Sequence, residues 1–187
     1  SAASDVYKRQ MVERGIIKEE EQELYQFGIR NGMILLLNVV TALVIGLLTE
    51  QLAVVAVFTL SFMVLRSYTG GYHSDSRIFC YLGSNLVLLV PVYTQAVFYK
   101  TSLACLLAVL LVSAGIIFLL SPMHSKNRKL DKEEQKHFGR KARLIAVLEL
   151  AVLGILWYAG QIPYAYAVYT GICITALFML VGKAQLW

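Results

Sequence analysis

Leu103–Leu120 reads LACLLAVLLVSAGIIFLL, a run with no charged or amide side chain. A helix rises about 1.5 Å per residue, so this run approaches the roughly 30 Å hydrocarbon core of a bilayer and reads as a membrane span. Outward from it the pattern repeats. Phe79–Phe98 precedes it, Leu144–Ala159 and Pro163–Gly182 follow, and two shorter runs, Met33–Leu48 and Leu52–Leu65, lie nearer the N-terminus. The short pair either extends into its polar flanks or forms a hairpin that stops before the far side, and it begins and ends on the same side in both cases. Apolar residues make up 58% of the 187, and the mean hydropathy is +0.63. A soluble domain would have to leave such blocks as large exposed patches. The expected fold class is therefore all-α: a polytopic membrane helix bundle of about six transmembrane or membrane-embedded helices, a single integral membrane domain over residues 1–187.

Charge orients the bundle. With the N-terminus in the cytoplasm, all 17 Lys and Arg except Lys100 fall on the inner side. That asymmetry is what the positive-inside rule requires of an N-in, C-in chain. No cleavable signal peptide is expected, because the first apolar run comes late and no small-residue cleavage site follows it. Residues 1–30 read as a cytoplasmic leader. Its Glu19–Glu21 and Glu23 cluster accompanies Ile16, Ile17, Leu24 and Phe27 at spacings that share a helical face. This fits a short interfacial helix or a solvated leader equally well. The second soluble segment, Ser121–Arg143, carries eight basic residues against Asp131, Glu133 and Glu134. On charge alone, anchoring topology and touching anionic lipid outweighs docking an acidic partner. Nucleic-acid binding is not expected, since neither a stacking surface nor a fold motif accompanies the charge.

The segment with chemical potential is Arg66–Cys80, RSYTGGYHSDSRIFC. Cys80 stands at the start of the third apolar run just after Arg77, where helix N-terminal N–H groups and a nearby cation favour a thiolate. Cys105 and Cys173 lie inside apolar runs and read as packing residues. A disulfide framework is not indicated by an odd count of inward-facing or buried cysteines. His73 precedes Cys80 by seven residues, which in one continuous helix means about 10 Å along the axis, too far for a hydrogen bond. The two meet only if the chain turns between them, and Gly70-Gly71 with Ser74, Asp75 and Ser76 supplies turn-forming residues. From the residues alone, a polar interfacial loop with an incidental His stands level with a Cys–His dyad. No metal is expected, because one Cys and one His leave a tetrahedral site short of ligands.

The order Arg66, Gly70-Gly71, His73 and Cys80, leading into an apolar run of a six-crossing chain with a basic central loop, resembles the accessory gene regulator protein B (AgrB) family. Proteins of that family are bacterial cell-membrane cysteine endopeptidases of quorum sensing. They remove the C-terminal tail of an autoinducer propeptide and close a thiolactone, or in some relatives a lactone. The resemblance implies that residues 66–78 are the catalytic loop facing the cytoplasm, with Cys80 the nucleophile and His73 the general base. It implies a supporting role for Arg66, on a substrate carboxylate or the thiolate, and for Gly71, which lets backbone approach closely and shapes an oxyanion site. The implied partner is a propeptide with an amphipathic N-terminal part and an acidic tail, besides the lipid bilayer. That tips the basic loop, with Arg128 and Lys129, towards docking the tail. No cofactor is implied, and no nucleotide-binding motif is present.

A non-catalytic peptide transporter or scaffold is the competing class, although no internal repeat or broken-helix pair marks it. Glu149 is an ionisable group in an apolar run, read as structural accommodation ahead of catalysis. Asn38 and Asn85 are expected to make interhelical hydrogen bonds. His124 and His137 are expected at the surface of the basic loop. A homodimer suits such a bundle, although no residue pattern establishes one.

Overall fold

The computed structural model describes residues 22–70, 77–123 and 132–184. All regular structure among them is helical: α1 (Gln22–Leu48), α2 (Leu52–Thr69), α3 (Arg77–Tyr93), α4 (Gln95–Lys100), α5 (Leu103–Leu120), α6 (Lys132–Tyr158) and α7 (Ile162–Ala184). Three of these, α2, α5 and α7, are long and apolar enough to cross a membrane, and Leu35–Leu48 and Gly83–Tyr93 are shorter apolar helical stretches. The chain divides into two compact units at Val40/Thr41. The described part of the first, Gln22–Val40, is helical throughout. Leu24 and Phe27 therefore belong to the same helix as the first apolar run, and no separate interfacial helix begins there. The rest of the leader lies outside the described residues.

The second unit is organised around α7. Its chain of small and medium residues, from Ala165 through Ala167, Gly171 and Ala176 to Gly182, is buried along most of its length. Such residues let neighbouring backbones approach closely, which favours association where lipid removes the hydrophobic drive between helices. On one side, Tyr166, Ala167 and Ile174 pack with Val54, Val55 and Phe58 of α2, Val87 and Leu88 of α3, and Phe98 of α4. On the other, Val168, Ile172, Ala176 and Met179 pack with Leu65 of α2, Ile117 of α5 and Ala146 of α6.

The α2–α7 crossing is the tightest of these contacts. A Cβ on Gly171 would lie 2.6 Å from the Ser61 hydroxyl oxygen and 3.4 Å from the Phe62 nitrogen. Ser61 in turn donates a 2.9 Å hydrogen bond to Glu149 Oε2 on α6, so one serine joins three helices. Glu149 is the one charged side chain in the described core, at 9% exposure. Its carboxyl group is thus held inside the bundle by a protein donor. Asn85 is half-buried, and its Oδ1, like that of Asn38, is buried without a hydrogen-bond partner. The expected interhelical bonds are not made by these carbonyl oxygens.

The run expected as one crossing from Phe79 to Phe98 is two helices. Pro91 is buried within α3 and has no N–H for the intrahelical ladder. Thr94 then leaves helical geometry. Its hydroxyl bonds the Val90 carbonyl at 2.8 Å and meets the Tyr166 hydroxyl at 2.5 Å. The Val90 carbonyl also accepts the Thr94 N–H at 3.0 Å, so the polar groups at the break are paired inside the protein, as an apolar surrounding demands. At the same end, α1–α2 and α6–α7 turn sharply. Gln51 N–H bonds the Gly46 carbonyl and Gln161 N–H the Leu156 carbonyl, each at 2.9 Å. Glu50 (φ 56°) and Gly160 (φ 71°) occupy the left-handed position that this helix ending requires.

Gly171→Ala should lower the thermal unfolding midpoint of the purified protein in detergent, at a cost of about 1–3 kcal/mol. Ser61→Ala should also destabilise, because it strips the buried Glu149 carboxylate of its donor. The double variant should lose less than the sum of the two, since Ser61→Ala also removes the atom that the new methyl strikes.

Candidate active site

The last turn of α2 carries Arg66, Ser67, Tyr68 and Thr69, and each except Ser67 is engaged in fixing where the helix stops. Arg66 donates from Nη1 to the Gly70 carbonyl, satisfying an acceptor that the helix end leaves open. Its guanidinium also lies 5.5 Å from the centre of the Phe178 ring on α7, within cation–π range. Thr69 is fully buried, and its carbonyl accepts a 2.9 Å bond from Met123 N–H. Gly70 ends α2 at φ 69°, ψ −155°. A Cβ there would sit 2.6 Å from the Met123 carbonyl oxygen, so this position admits neither a side chain nor its preferred backbone geometry.

Met123 belongs to the segment that continues α5. Ser121 precedes a proline and is extended at φ −79°, ψ 139°, as the clash of a proline ring with the preceding residue dictates. Pro122 then lies against α6, its Cδ 3.0 Å from where a Gly139 Cβ would be. Three further contacts bind α6 to this end. Tyr68 and Phe138 have ring centres 6.3 Å apart, and Lys141 Nζ is 5.8 Å from the Tyr68 ring centre. Arg143 Nε donates to the Phe118 carbonyl at 3.3 Å. The end of α2 is therefore held by α7, by residues 121–123 and by the basic first turns of α6 together.

α3 starts at Arg77 and packs beside α2, so Cys80 occupies its first turn. The chain leaves helical geometry at Gly70, so α2 and α3 are separate helices. His73, Gly71, Arg128 and Lys129, like His124, lie outside the described residues. Arg66 is half-buried at the end of α2. His137 is exposed on α6, its ring 6.0 Å from that of Phe138. Cys105 is exposed on α5 rather than buried as a packing residue, and Cys173 is half-buried on α7, bonded to Ser113 and Tyr169. Sequence reasoning missed the clamp residues Tyr68, Thr69, Met123 and Gly139. Only Gly139, a glycine in an otherwise charged helical stretch, carried a readable signal for close approach.

Compared with known proteins, the chain matches the family model described as accessory gene regulator B over residues 4–180. It is 25% identical to AgrB-like protein 2 of Clostridium perfringens strain 13 over 148 residues, 74% of this chain and 69% of the relative. Its identity to an AgrB-like protein of Clostridium perfringens strain SM101 is 24%, with the same coverage. Against accessory gene regulator protein B of Staphylococcus intermedius the identity is 26% over 156 residues, 81% of this chain and 80% of the relative. No solved structure matches the chain.

Gly70→Ala should lower the unfolding midpoint in detergent by an amount corresponding to about 1–3 kcal/mol, from left-handed strain and the Met123 carbonyl together. Gly83→Ala, in α3 with nothing within 4 Å of the added methyl, should be neutral or stabilising by up to about 1 kcal/mol. Equal effects of the two changes would refute the clamp at Gly70.

Proposed function

The chain belongs to the accessory gene regulator B family, which gives it a membrane-borne role in quorum-sensing gene regulation and autoinducer peptide processing, and from that premise we propose that it is a cysteine endopeptidase that cyclises its product. The observation that carries this reading is the α2–α3 connection. α2 is stopped at Gly70 by contacts from three directions, and α3 is helical from Arg77 among the described residues. The six residues between them include His73, and Cys80 follows in the first turn of α3. A nucleophile at a helix N-terminus and a base on the short connection ahead of it form the kind of pair that covalent catalysis needs.

In this reading the bundle is multi-pass, N-in and C-in, with the connection facing the cytoplasm, and it rests on the Lys and Arg distribution. His73 takes the Cys80 thiol proton as Sγ attacks the scissile carbonyl carbon of the propeptide. The C–N bond breaks, His73 returns that proton to the leaving amine, and the acidic tail departs. The acyl group is left on Cys80 as a thioester. A cysteine thiol within the propeptide then attacks the same carbon, forming the macrocyclic thiolactone and releasing Cys80. Where the propeptide offers a hydroxyl, the product is a lactone. Arg66 acts as a positioning residue: its bond to the Gly70 carbonyl sets the geometry of the chain leading to Gly71 and His73. Gly71 permits the close backbone approach of an oxyanion site. Amide-to-thioester exchange is uphill and thioester-to-thiolactone exchange nearly balanced, so removal of tail or cyclic product drives the sequence. Water must be kept from the acyl-enzyme, or a linear peptide results.

The acidic tail docks on the basic loop through Arg128 and Lys129. The support for this is the charge of the Ser121–Arg143 segment and the contact of its ends with α2 through Met123 and Tyr68.

The test is reconstitution in liposomes with a candidate propeptide, read by intact mass spectrometry. The parent should show an acyl adduct that Cys80→Ala lacks. Tail release should vanish in Cys80→Ala and fall by about 10²–10⁴-fold in His73→Ala, the range for loss of a general base. Tail release that persists in Cys80→Ala would overturn the peptidase reading in favour of a transporter or scaffold. For the docking role, Arg128→Glu with Lys129→Glu should raise the KM for tail processing by about tenfold or more at low salt, and less as salt rises. An unchanged KM would count against it.

A further inference from the structure

A polar cleft lies between the end of α5 and the opening turns of α6. Its volume is about 430 Å³, and it is lined by Ser121, Lys136, Arg140 and Arg143 among others, with no carboxylate among the described lining residues. Lys136, Arg140 and Arg143 follow one another at helical spacings of four and three, so one face of α6 presents three cations. Ser121 is 5% exposed, and its hydroxyl oxygen is buried with no hydrogen-bond partner. A buried hydroxyl left unpaired costs about 1–3 kcal/mol, so one lining a polar cleft is a donor waiting for an acceptor.

We propose that this cleft binds the phosphate of an anionic phospholipid headgroup. Depth selects this ligand over a carboxylate of the peptide tail. Ser121 directly follows the apolar span that ends at Leu120, and Arg143 directly precedes the apolar run that begins at Leu144. Both walls therefore stand at the boundary between hydrocarbon and headgroup, where lipid phosphates lie. One step towards the hydrocarbon, Leu119 and Leu144 are exposed and give acyl chains an apolar surface to run along. The guanidinium groups of Arg140 and Arg143 match phosphate oxygens in fork geometry, Lys136 adds a point charge, and the Ser121 hydroxyl donates from the floor. Basic pockets between membrane helices hold anionic headgroups in this manner. Because Arg143 already bonds the Phe118 carbonyl, a bound phosphate would also tie α6 to the end of α5.

The experiment is native mass spectrometry of the full-length protein released from detergent, titrated with phosphatidylglycerol or with phosphatidylcholine of the same acyl chains. Lys136 and Arg140 are exposed, so Lys136→Gln with Arg140→Gln leaves the helix packing intact, and an unchanged gel-filtration profile verifies this. The parent should retain one phosphatidylglycerol in preference to phosphatidylcholine. The double variant should lose that preference by about thirtyfold, as removal of two interfacial cations requires. Ser121→Ala should weaken retention by a smaller factor. Equal retention of the two lipids by the parent, or unchanged phosphatidylglycerol retention in the double variant, would overturn the proposal. So would a double variant that keeps its lipid but loses affinity for a synthetic acidic peptide, which would assign the cleft to the peptide.

Discussion

The packing of this molecule rests on a backbone approach that only glycine permits. Where α2 crosses α7, Gly171 leaves room for the Ser61 hydroxyl, and that hydroxyl is the donor to Glu149 on α6. Between lipid-facing helices no hydrophobic drive favours association, so close van der Waals contact and a few polar bonds must supply it. A carboxylate buried away from water needs a donor, and the donor here is available only at that spacing. The burial of Leu65, Thr69 and Ile172 along the same interface follows from the same close approach. So does the position of the α2 end, on which the proposed chemistry depends.

From that crossing the constraint passes to the site through short, rigid links. Arg66 directly follows Leu65, reaches Phe178 on α7, and caps the end of its own helix. Thr69 and Gly70 meet Met123, and Pro122 beside Met123 meets Gly139 on α6. Four elements thus converge on the residue after which the chain leads to His73. A catalytic base on a connection is positioned well only if the connection leaves its scaffold in a fixed direction. The clamp at Gly70 supplies that direction at one end, and the first turn of α3 supplies it at the other.

Much of this was legible in the residues, for reasons that differ by feature. The apolar runs were visible because a helix in hydrocarbon must be apolar over most of its surface, and each expected run coincides with helix. The break after Tyr93 was signalled by Pro91 but hidden by the unbroken hydrophobicity around it, and the hydroxyl contact that Thr94 makes there is with Tyr166, remote in sequence. The extension of α1 back to Gln22 was obscured by the acidic residues of the leader, which mark solvent exposure without ending a helix. The pair Gly70-Gly71 announced a turn. That Gly70 faces the Met123 carbonyl could not be read, since it depends on which helices pack together. Glu149 was recognised as accommodated, but its donor, Ser61, is 88 residues away. Periodicity reports what a helix faces in kind, polar or apolar, and says nothing of which partner it faces.

The two ends of the Thr41–Trp187 unit are built differently. At one, the helices are joined by sharp turns at Glu50 and Gly160, and Phe98 is surrounded by Tyr99, Trp157, Tyr166 and Tyr169. At the other, the stretches 71–76 and 124–131, which hold His73, Arg128 and Lys129, follow α2 and α5 in the chain. On the proposed reading, the residues that would meet the propeptide lie outside the turns and the aromatic cluster of the first end, so a change in the signal recognised need not disturb the packing there.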